Sequence, residues 1–563
     1  MSGIFNTEKT KSINIVKCHN ILLVIYVSER IYGIRTILTV AVMVIITRTY
    51  YLTVICNNEL KEKADRQNTV NIYVNDNRND FLDRHNRYIT GLEKKGYIAI
   101  FSSNDENVDK KNCELLECYT TETAEAIYER LKEQKKTYIR TNLDVNKYMP
   151  EDIRYIKPFY ASSRYLSDYP AAALIGYISD GKGVYGLEKV YDEILVNKNS
   201  EAYVKTDAFR NIIGDITLVS NNKNRLKLKL TLDLKLQRIV EEAMKNSGLK
   251  CSTVLLDVNS FDVLAMASYP HFEQDNIAEY LRRGISVQNN SMLAYDMGSI
   301  FKIVVTAAAL ENGFKDFNRI FNCNGSINVS GKSFECHNAY GHGKQTIKEA
   351  FKNSCNCAFI ELGMEVGYDN ILNMAKKFKL GERRLYPVEL EQQKGILPDD
   401  KNYYIADLAN LSIGQGKLSG TVLDGASISA VIANGGFVFN VNCVDSVTDS
   451  SGQLIKVLRV DKKEQIISQF TSEKIKEMMI ETNLSGTGTT ARLENYSSGG
   501  KTGSAQTGWY VDGENYQHGW FTGFFPAENP LYSLCVFVEN GKSGSETAAP
   551  IFKEIGDAVM AIQ

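Results

Sequence analysis

The sequence predicts an α+β fold behind a single N-terminal transmembrane helix, and three observations support that prediction. An uncharged apolar run, "TILTVAVMVIIT" (Thr36 to Thr47), stands near the N-terminus. A strand, an amphipathic helix and two apolar strands follow one another between Leu226 and Ser268. Two further strands and a closing helix end the chain. Residues 226–563 therefore read as an antiparallel sheet with helices packed on it. Residues 56–225 are polar and charge-rich, without long apolar periodicity, and read as a separate unit.

Taken in order, the chain opens with Lys9, Lys11, Lys17, Arg30 and Arg35 against Glu8 and Glu29. Twelve uncharged residues are too few to cross a bilayer core, which needs roughly 20. Extending the run to Ile31–Ile55 supplies the length, with Arg35 and Arg48 snorkelling to the interfaces. Tyr50 and Tyr51 then stand where an aromatic belt belongs. The basic tail (1–30) predicts a cytoplasmic N-terminus and an exported remainder. A cleaved signal peptide fits poorly, because "RTYYLTV" follows the apolar run where small residues are needed. A buried core helix is the competing reading. The earlier run Ile21 to Val27 is too short to span and carries no assignment.

Beyond 225 the elements are plainer. "NNKNR" reads as a turn, Leu226 to Leu232 alternates as a strand, and Leu234 to Met244 is an amphipathic helix. "STVLLDVNSFDVLAMAS" forms two strands around a turn at Asn259 and Ser260. "GWFTGFFP" and "YSLCVFVE" are strands, and "TAAPIFKEIGDAVMAI" is the closing helix.

Net charge is −2 over 563 residues, so neither a nucleic-acid-binding stripe nor an acidic tail is present. Of eleven cysteines, Cys323 and Cys336 bracket "NGSINVSGKSFE", a hairpin with Gly331 near its turn; a cross-strand disulfide is plausible there, and the sequence leaves the pairing open. His337 and His342 invite a zinc reading, but the spacing matches no standard finger, and no metal is assigned.

Three polar clusters carry the chemistry. Ser299 stands at the first turn of an apolar helix, Ile303 to Leu310, that Gly313 ends. Free N–H groups and the helix dipole there favour developing negative charge. Lys302, three residues on, shares its face, which is the arrangement of an activated nucleophile. An N-cap serine with a surface lysine looks the same, and Ser220–Lys223, Ser247–Lys250 and Ser498–Lys501 match the bare pattern. Ser354 and Asn356 flank Cys355 before another apolar helix; Ser326–Asn328 and Ser102–Asn104 also fit, and a plain N-cap is the bland alternative. Lys501, Thr502, Gly503 and Ser504 follow Gly499 and Gly500, with Gly503 letting a ligand approach the strand. A solvated hairpin turn is the alternative. Lys542–Gly544 competes, but it directly precedes the closing helix.

Ser-x-x-Lys, Ser-x-Asn and Lys-Thr-Gly in this order, 55 and then 147 residues apart, form the set found in penicillin-binding proteins and class A β-lactamases. Nearly the whole chain resembles a class B penicillin-binding protein, a membrane-anchored peptidoglycan D,D-transpeptidase. "RTYYLTV" resembles the stretch after that family's anchor, and "NRNDFLDRHNRYIT" its Arg-Gly-x-Ile-x-Asp-Arg-Asn-Gly signature. "YPAAALIGYISDGKGVYGLEKVYDEIL" is similar to its pedestal motif. "LTLDLKLQ", "IGQG", "IANGG" and "AAPIF" resemble stretches of its catalytic half. Asn79, Arg87 and Phe261 stand where that pattern has glycine, and Ser504 where threonine is commoner.

The resemblance implies an elongated pedestal over 56–225, then a transpeptidase domain over 226–563 whose antiparallel sheet is flanked by helices and joined by an all-helical subdomain. It implies a monofunctional enzyme, since no glycosyltransferase-sized stretch precedes the pedestal and no appended C-terminal module is expected. Ser299 would attack the carbonyl between two D-alanines of a stem peptide, and an amine from a neighbouring strand would take the acyl group. Lys302 would be the base, Ser354 a proton relay, and Asn356 a holder of Lys302 and of the substrate amide. Lys501 and Thr502 would bind the terminal carboxylate, and the N–H groups of Ser299 and Ser504 would form the oxyanion hole. Implied partners are stem peptides of the lipid-linked polymer, β-lactams, a membrane glycosyltransferase and other cell-wall synthesis proteins, with no cofactor. A β-lactam sensor or β-lactam hydrolase of the same superfamily is the alternative; Glu361 and Glu365 follow the second motif closely. Division, elongation and sporulation all remain open as settings.

Overall fold

The computed structural model describes residues 7–563 apart from 73–77, 92, 121, 142–154, 180, 197–199, 207–211, 221–224, 399–402 and 512–513. The turn expected at 221–224 and the first six residues of the basic tail therefore lie outside the described residues.

Thr7–Tyr50 is one helix, continued by a π turn over Tyr51–Ile55. The run Ile21 to Val27, unassigned from sequence, lies inside it. Ser28–Ile55 is long and apolar enough to cross a membrane, and none of its most apolar stretch is buried among the described residues. Thr36, Thr39, Thr47 and Thr53 each donate their hydroxyl to the carbonyl four residues back, 2.7–2.8 Å away. A polar atom that must lie in hydrocarbon is thereby satisfied within the helix. Arg48 lies over the Tyr51 ring at 5.5 Å, at the interface end.

The polar stretch that follows builds two three-stranded sheets. Lys94–Phe101 is the middle strand of one, with Lys136–Thr141 and Ile156–Ser162 antiparallel on either side. Strand alternation sends Ile98 and Ile100 to one face, against Cys113, Leu116, Ile127 and Leu131 of two overlying helices. Tyr97, Ala99 and Phe101 go to the other face, where Phe159 and Val204 cover them. The second sheet pairs Thr69–Ile72 with Ser200–Thr206 and that with Ile212–Ser220.

One further sheet ties N-terminal and C-terminal segments together. Asp80–Leu82 runs parallel to Lys227–Leu230, which pairs antiparallel with Val444–Thr448. Beside it the two residues that replace expected glycines act as bridges. Asn79 donates to the Ile194 carbonyl at 2.7 Å and accepts from the Leu226 N–H at 2.9 Å. Arg87 pairs with Asp83 and Asp233, both at 2.5 Å. Arg78 and Arg164 share the buried Glu188 carboxylate at 2.9 and 2.6 Å. A buried carboxylate with two guanidinium partners is compensated, whereas losing either partner would strand the charge.

The principal sheet has five antiparallel strands in the order Val263–Tyr269, Cys251–Asp257, Tyr532–Val538, Glu514–Phe525 and Gly499–Val511. Leu234–Ser247, capped by Asp233, and the closing helix Ala549–Ala561 cover one face through Val240, Met244, Phe552 and Ile555. Val422–Ala433 covers the other face and is buried on every side, which explains its lack of amphipathic pattern. Where this helix crosses the sheet, the Ser429 hydroxyl meets those of Thr522 (2.8 Å) and Ser533 (2.6 Å), so the buried polar atoms satisfy one another. Lys302–Glu311, Asn356–Val366 and Tyr368–Lys377 form a helical cluster at the sheet's edge. The expected α+β fold is present.

Phe261, the third residue at an expected glycine, sits at φ +57 in the turn between two strands. The left-handed backbone is unfavourable for a phenylalanine. Full burial against Phe439, with ring centroids 5.4 Å apart, and the Arg384 guanidinium 5.9 Å from its centroid compensate.

Candidate active site

Ser299 stands in a 3-10 turn, Gly298–Phe301, that runs straight into the helix Lys302–Glu311. Ser299, expected in the first turn of the α-helix, thus precedes it by three residues, and the helix covers the predicted apolar run. Gly298, at φ +56, donates its N–H to the Gly414 carbonyl at 3.0 Å. A Cβ on it would fall 2.6 Å from the Ser504 carbonyl oxygen, so only glycine lets the serine turn lie against the strand. Gly503 was expected to admit a ligand. A Cβ there would instead come 3.0 Å from the Ile300 side chain and 3.1 Å from Trp520 Cβ, so its bareness seats the serine turn on the sheet.

Lys302 is fully buried one turn below Ser299. Its Nζ donates to the Ser354 carbonyl and to Asn356 Oδ1, both at 2.8 Å, and lies 3.4 Å from Ser354 Oγ. Burial pushes the amine down to about 8. Two acceptors that cannot donate occupy two amine hydrogens, and the third direction faces a hydroxyl that can donate. A neutral Lys302 would keep its lone pair free on that side.

Ser354 adopts φ +53, and the helix Asn356–Val366 takes Cys355 as its N-cap position. The bland N-cap reading of Ser354 does not hold. Asn356 Nδ2 donates to the Glu335 carbonyl at 2.9 Å, which fixes Oδ1 toward Lys302.

Lys501 to Ser504 lie within the edge strand Gly499–Val511, not in a hairpin turn. Alternation along the strand puts Thr502, Ser504 and Gln506 on the wall of a cleft of about 840 Å3 that also holds Ser299, Ser354 and Asn356. Lys501 is fully buried beneath that wall, its Nζ donating to the Thr502 carbonyl at 3.1 Å. Burial first, and then the Lys302 charge, hold its amine well below the ordinary lysine range.

Sequence reasoning missed several lining residues. Thr487 Oγ1 meets Thr502 Oγ1 at 2.6 Å, and nothing in "SGTGTT" marked it. Gln415 lines the cleft and reaches toward the Ser504 carbonyl at 3.5 Å; "IGQG" carried that signal. Ser543 and Ser545, in and after the competing Lys542–Gly544 motif, also line the cleft, next to Ser504, whose Oγ accepts from the Gly544 N–H at 3.4 Å. Glu361 and Glu365 pair with Arg319 and do not line the cleft. Among the described residues Glu335 is the one carboxylate residue that does.

The disulfide weighed for the hairpin is not formed: Cys323 and Cys336 are unbridged. Ser326–Val329 and Lys332–Glu335 do form the hairpin. Cys323, however, belongs to a separate ladder, Phe321–Cys323 with Gly343–Gln345, so the two cysteines are not cross-strand partners.

Residues 251–557 match the model of the penicillin-binding protein transpeptidase domain. The chain is 27% identical to stage V sporulation protein D of Bacillus subtilis over 94% of this chain and 85% of that protein. It is 22% identical to the peptidoglycan D,D-transpeptidase FtsI of Buchnera aphidicola subsp. Baizongia pistaciae, over 95% of this chain and 96% of that one. Among solved structures, penicillin-binding protein PBP2 from Helicobacter pylori superposes with a TM-score of 0.68 at 18% identity, over 88% of this chain and 99% of that one. With the family model covering more than half its length and the three motifs converging on one cleft, the chain belongs to the penicillin-binding protein transpeptidase family.

Proposed function

We propose that the cleft cross-links peptidoglycan by D,D-transpeptidation through an acyl-enzyme on Ser299. The observation that carries this reading is the setting of Lys302, buried, depressed in pKa and hydrogen-bonded to both residues of the second motif. Ser299 Oγ attacks the carbonyl between the two terminal D-alanines and gives its proton to the Lys302 amine. The N–H groups of Ser299 and Ser504 stabilise the oxyanion, each donor contributing about 3 kcal/mol. Ser354 Oγ, 3.4 Å from Lys302 Nζ, hands a proton on to the departing D-alanine amine. An amine of a second stem peptide then attacks the ester, loses its proton to the same relay and frees Ser299.

Substrate binding divides along the edge strand. Thr502, held by Thr487, and Ser504 offer hydroxyls to the terminal carboxylate from the cleft wall. Lys501 backs that wall from below, its Nζ on the Thr502 carbonyl. Asn356 fixes Lys302, and Gln415 and Gln506 line the path of the peptide. The apolar helix anchors the chain in the cell membrane as a single pass, the basic tail inside and residues 56–225 acting as a pedestal.

The test is an acyl-transfer assay on the full-length chain in detergent, with a stem pentapeptide and an acceptor amine. Release of one D-alanine with formation of an equal amount of cross-linked peptide supports the reading. Carboxypeptidase release with no transfer at saturating acceptor would refute it.

A further inference from the structure

A cluster beside the cleft has no place in that chemistry. Cys323, Cys336, His342 and Cys355 bring three sulfurs and one ring nitrogen within 4.8 Å of one another. They come from four places in the chain: the end of a short strand, the residue after the hairpin, the residue before the strand Gly343–Gln345, and the start of the Asn356–Val366 helix. Three edges of the figure they make are Cys323 Sγ to His342 Nδ1 at 3.6 Å, Cys336 Sγ to His342 Nδ1 at 3.5 Å, and Cys336 Sγ to Cys355 Sγ at 3.9 Å.

We propose that these four residues form a tetrahedral zinc site of the Cys3His type. With zinc bonds of about 2.3 Å to sulfur and about 2.0–2.1 Å to nitrogen, a regular tetrahedron has sulfur–sulfur edges of about 3.8 Å and sulfur–nitrogen edges of about 3.6 Å. The observed edges match both lengths. A disulfide needs about 2.05 Å between sulfurs, which the 3.9 Å pair does not approach. All three cysteines are buried, and His342 at the rim points Nδ1 at two of the sulfurs. The ligand spacing, 13, 6 and 13 residues, follows no finger pattern, so the site is legible only in three dimensions.

The location gives the metal a positioning role. Cys355 is the middle residue of the Ser354–Asn356 motif, and Cys336 follows Glu335, whose carbonyl holds Asn356 Nδ2. A zinc ion would clamp the hairpin to the motif that grips Lys302 and fix the strained Ser354 backbone between them. Ligation would also remove these thiols from oxidation on an exported domain. Cys357, buried beside the same sulfurs, is left outside the ligand set.

The test uses the full-length chain without a histidine tag, produced with zinc and purified in detergent under reducing conditions without chelator. Elemental analysis should find about one zinc per chain, and X-ray absorption at the zinc edge should find three sulfurs at about 2.3 Å and one nitrogen near 2.0–2.1 Å. Cys336→Ser and Cys355→Ser should each cut zinc occupancy about tenfold or more. Cys357→Ser and Cys251→Ser should leave it unchanged. Cobalt loaded in place of zinc should show thiolate charge-transfer and tetrahedral d–d absorption in the wild type, a readout that needs no variant to fold. A wild-type chain without stoichiometric zinc and silent with cobalt would overturn the proposal, as would a shell of oxygen and nitrogen alone. Zinc lost from Cys357→Ser and kept by Cys355→Ser would overturn the ligand assignment. Metal content is read without substrate, so failure here leaves the acyl-transfer reading standing.

Discussion

Replacing Lys302 with methionine removes the amine while keeping an unbranched side chain in a site with no exposed surface. In the wild type the ammonium is disfavoured by burial, which lowers its pKa from 10.5 to about 8. Below pH 8 that shift costs roughly 3 kcal/mol of stability, and the cost fades as pH rises toward the unfolded value near 10.5. Methionine abolishes it. Against this, the Ser354 carbonyl and Asn356 Oδ1 lose their donor, at about 1–3 kcal/mol each. The terms nearly cancel, so the K302M chain should fold with a melting temperature close to wild type at pH 7. Catalysis has no such compensation. Loss of a positioned general base costs about 10²–10⁴ in rate, or about 3–5 kcal/mol of barrier. Stopped-flow acylation by a chromogenic β-lactam, beside thermal unfolding of the same sample, measures both quantities. Acylation within tenfold of wild type in a folded K302M chain would refute the assignment of Lys302 as base.

Two further predictions concern stability. Glu241 accepts from the Ala171 N–H and from Gln237, both at 2.8 Å, and burial pushes its carboxyl from 4.5 up to about 7. The native state therefore binds the proton more tightly, and stability falls by roughly 3 kcal/mol as pH rises from about 4.5 through 7. Glu241→Gln should raise the melting temperature at pH 8 and leave it nearly unchanged at pH 4.5; a pH-independent effect would contradict this. Phe261→Gly relieves about 1–2 kcal/mol of left-handed strain but gives up about 3–5 kcal/mol of burial. A lowered melting temperature is expected, and a stabilised variant would show that the Phe439 and Arg384 contacts contribute little.

The catalytic half was legible because its signals are local. Strand alternation, the Asp233 cap and the order of three short motifs each depend on neighbouring residues, and the structure brings Ser299, Lys302, Ser354, Asn356 and Thr502 to one place. What escaped depends on contacts between distant segments. Thr487 matters through one hydrogen bond to a strand fifteen residues on, and Lys501 is buried because a helix carrying Phe351 packs over it. The core of the 94–162 sheet is a handful of alternating side chains, too few to stand out against its charges. Cys323 and Cys336 show the limit most clearly. Their spacing suggested a bridge across a hairpin, whereas the ladder with Gly343–Gln345 turns Cys323 toward His342 instead.

The most direct test of the account is the fate of the β-lactam adduct. Peptide mass spectrometry after incubation with penicillin should place a single adduct on the peptide holding Ser299, and S299A should abolish it. A transpeptidase protects its acyl-enzyme from water until an amine arrives. An adduct that lasts hours decays near ~10⁻⁴ s⁻¹, over a barrier of about 23 kcal/mol, whereas turnover at ~10³ s⁻¹ needs only about 13. The cleft offers only Glu335 as a carboxylate among the described residues, and no motif places it on a water. The account predicts a penicilloyl-Ser299 lifetime of hours in the full-length chain. Rapid multiple turnover of penicillin, or an adduct on Ser354 or Ser498, would contradict it.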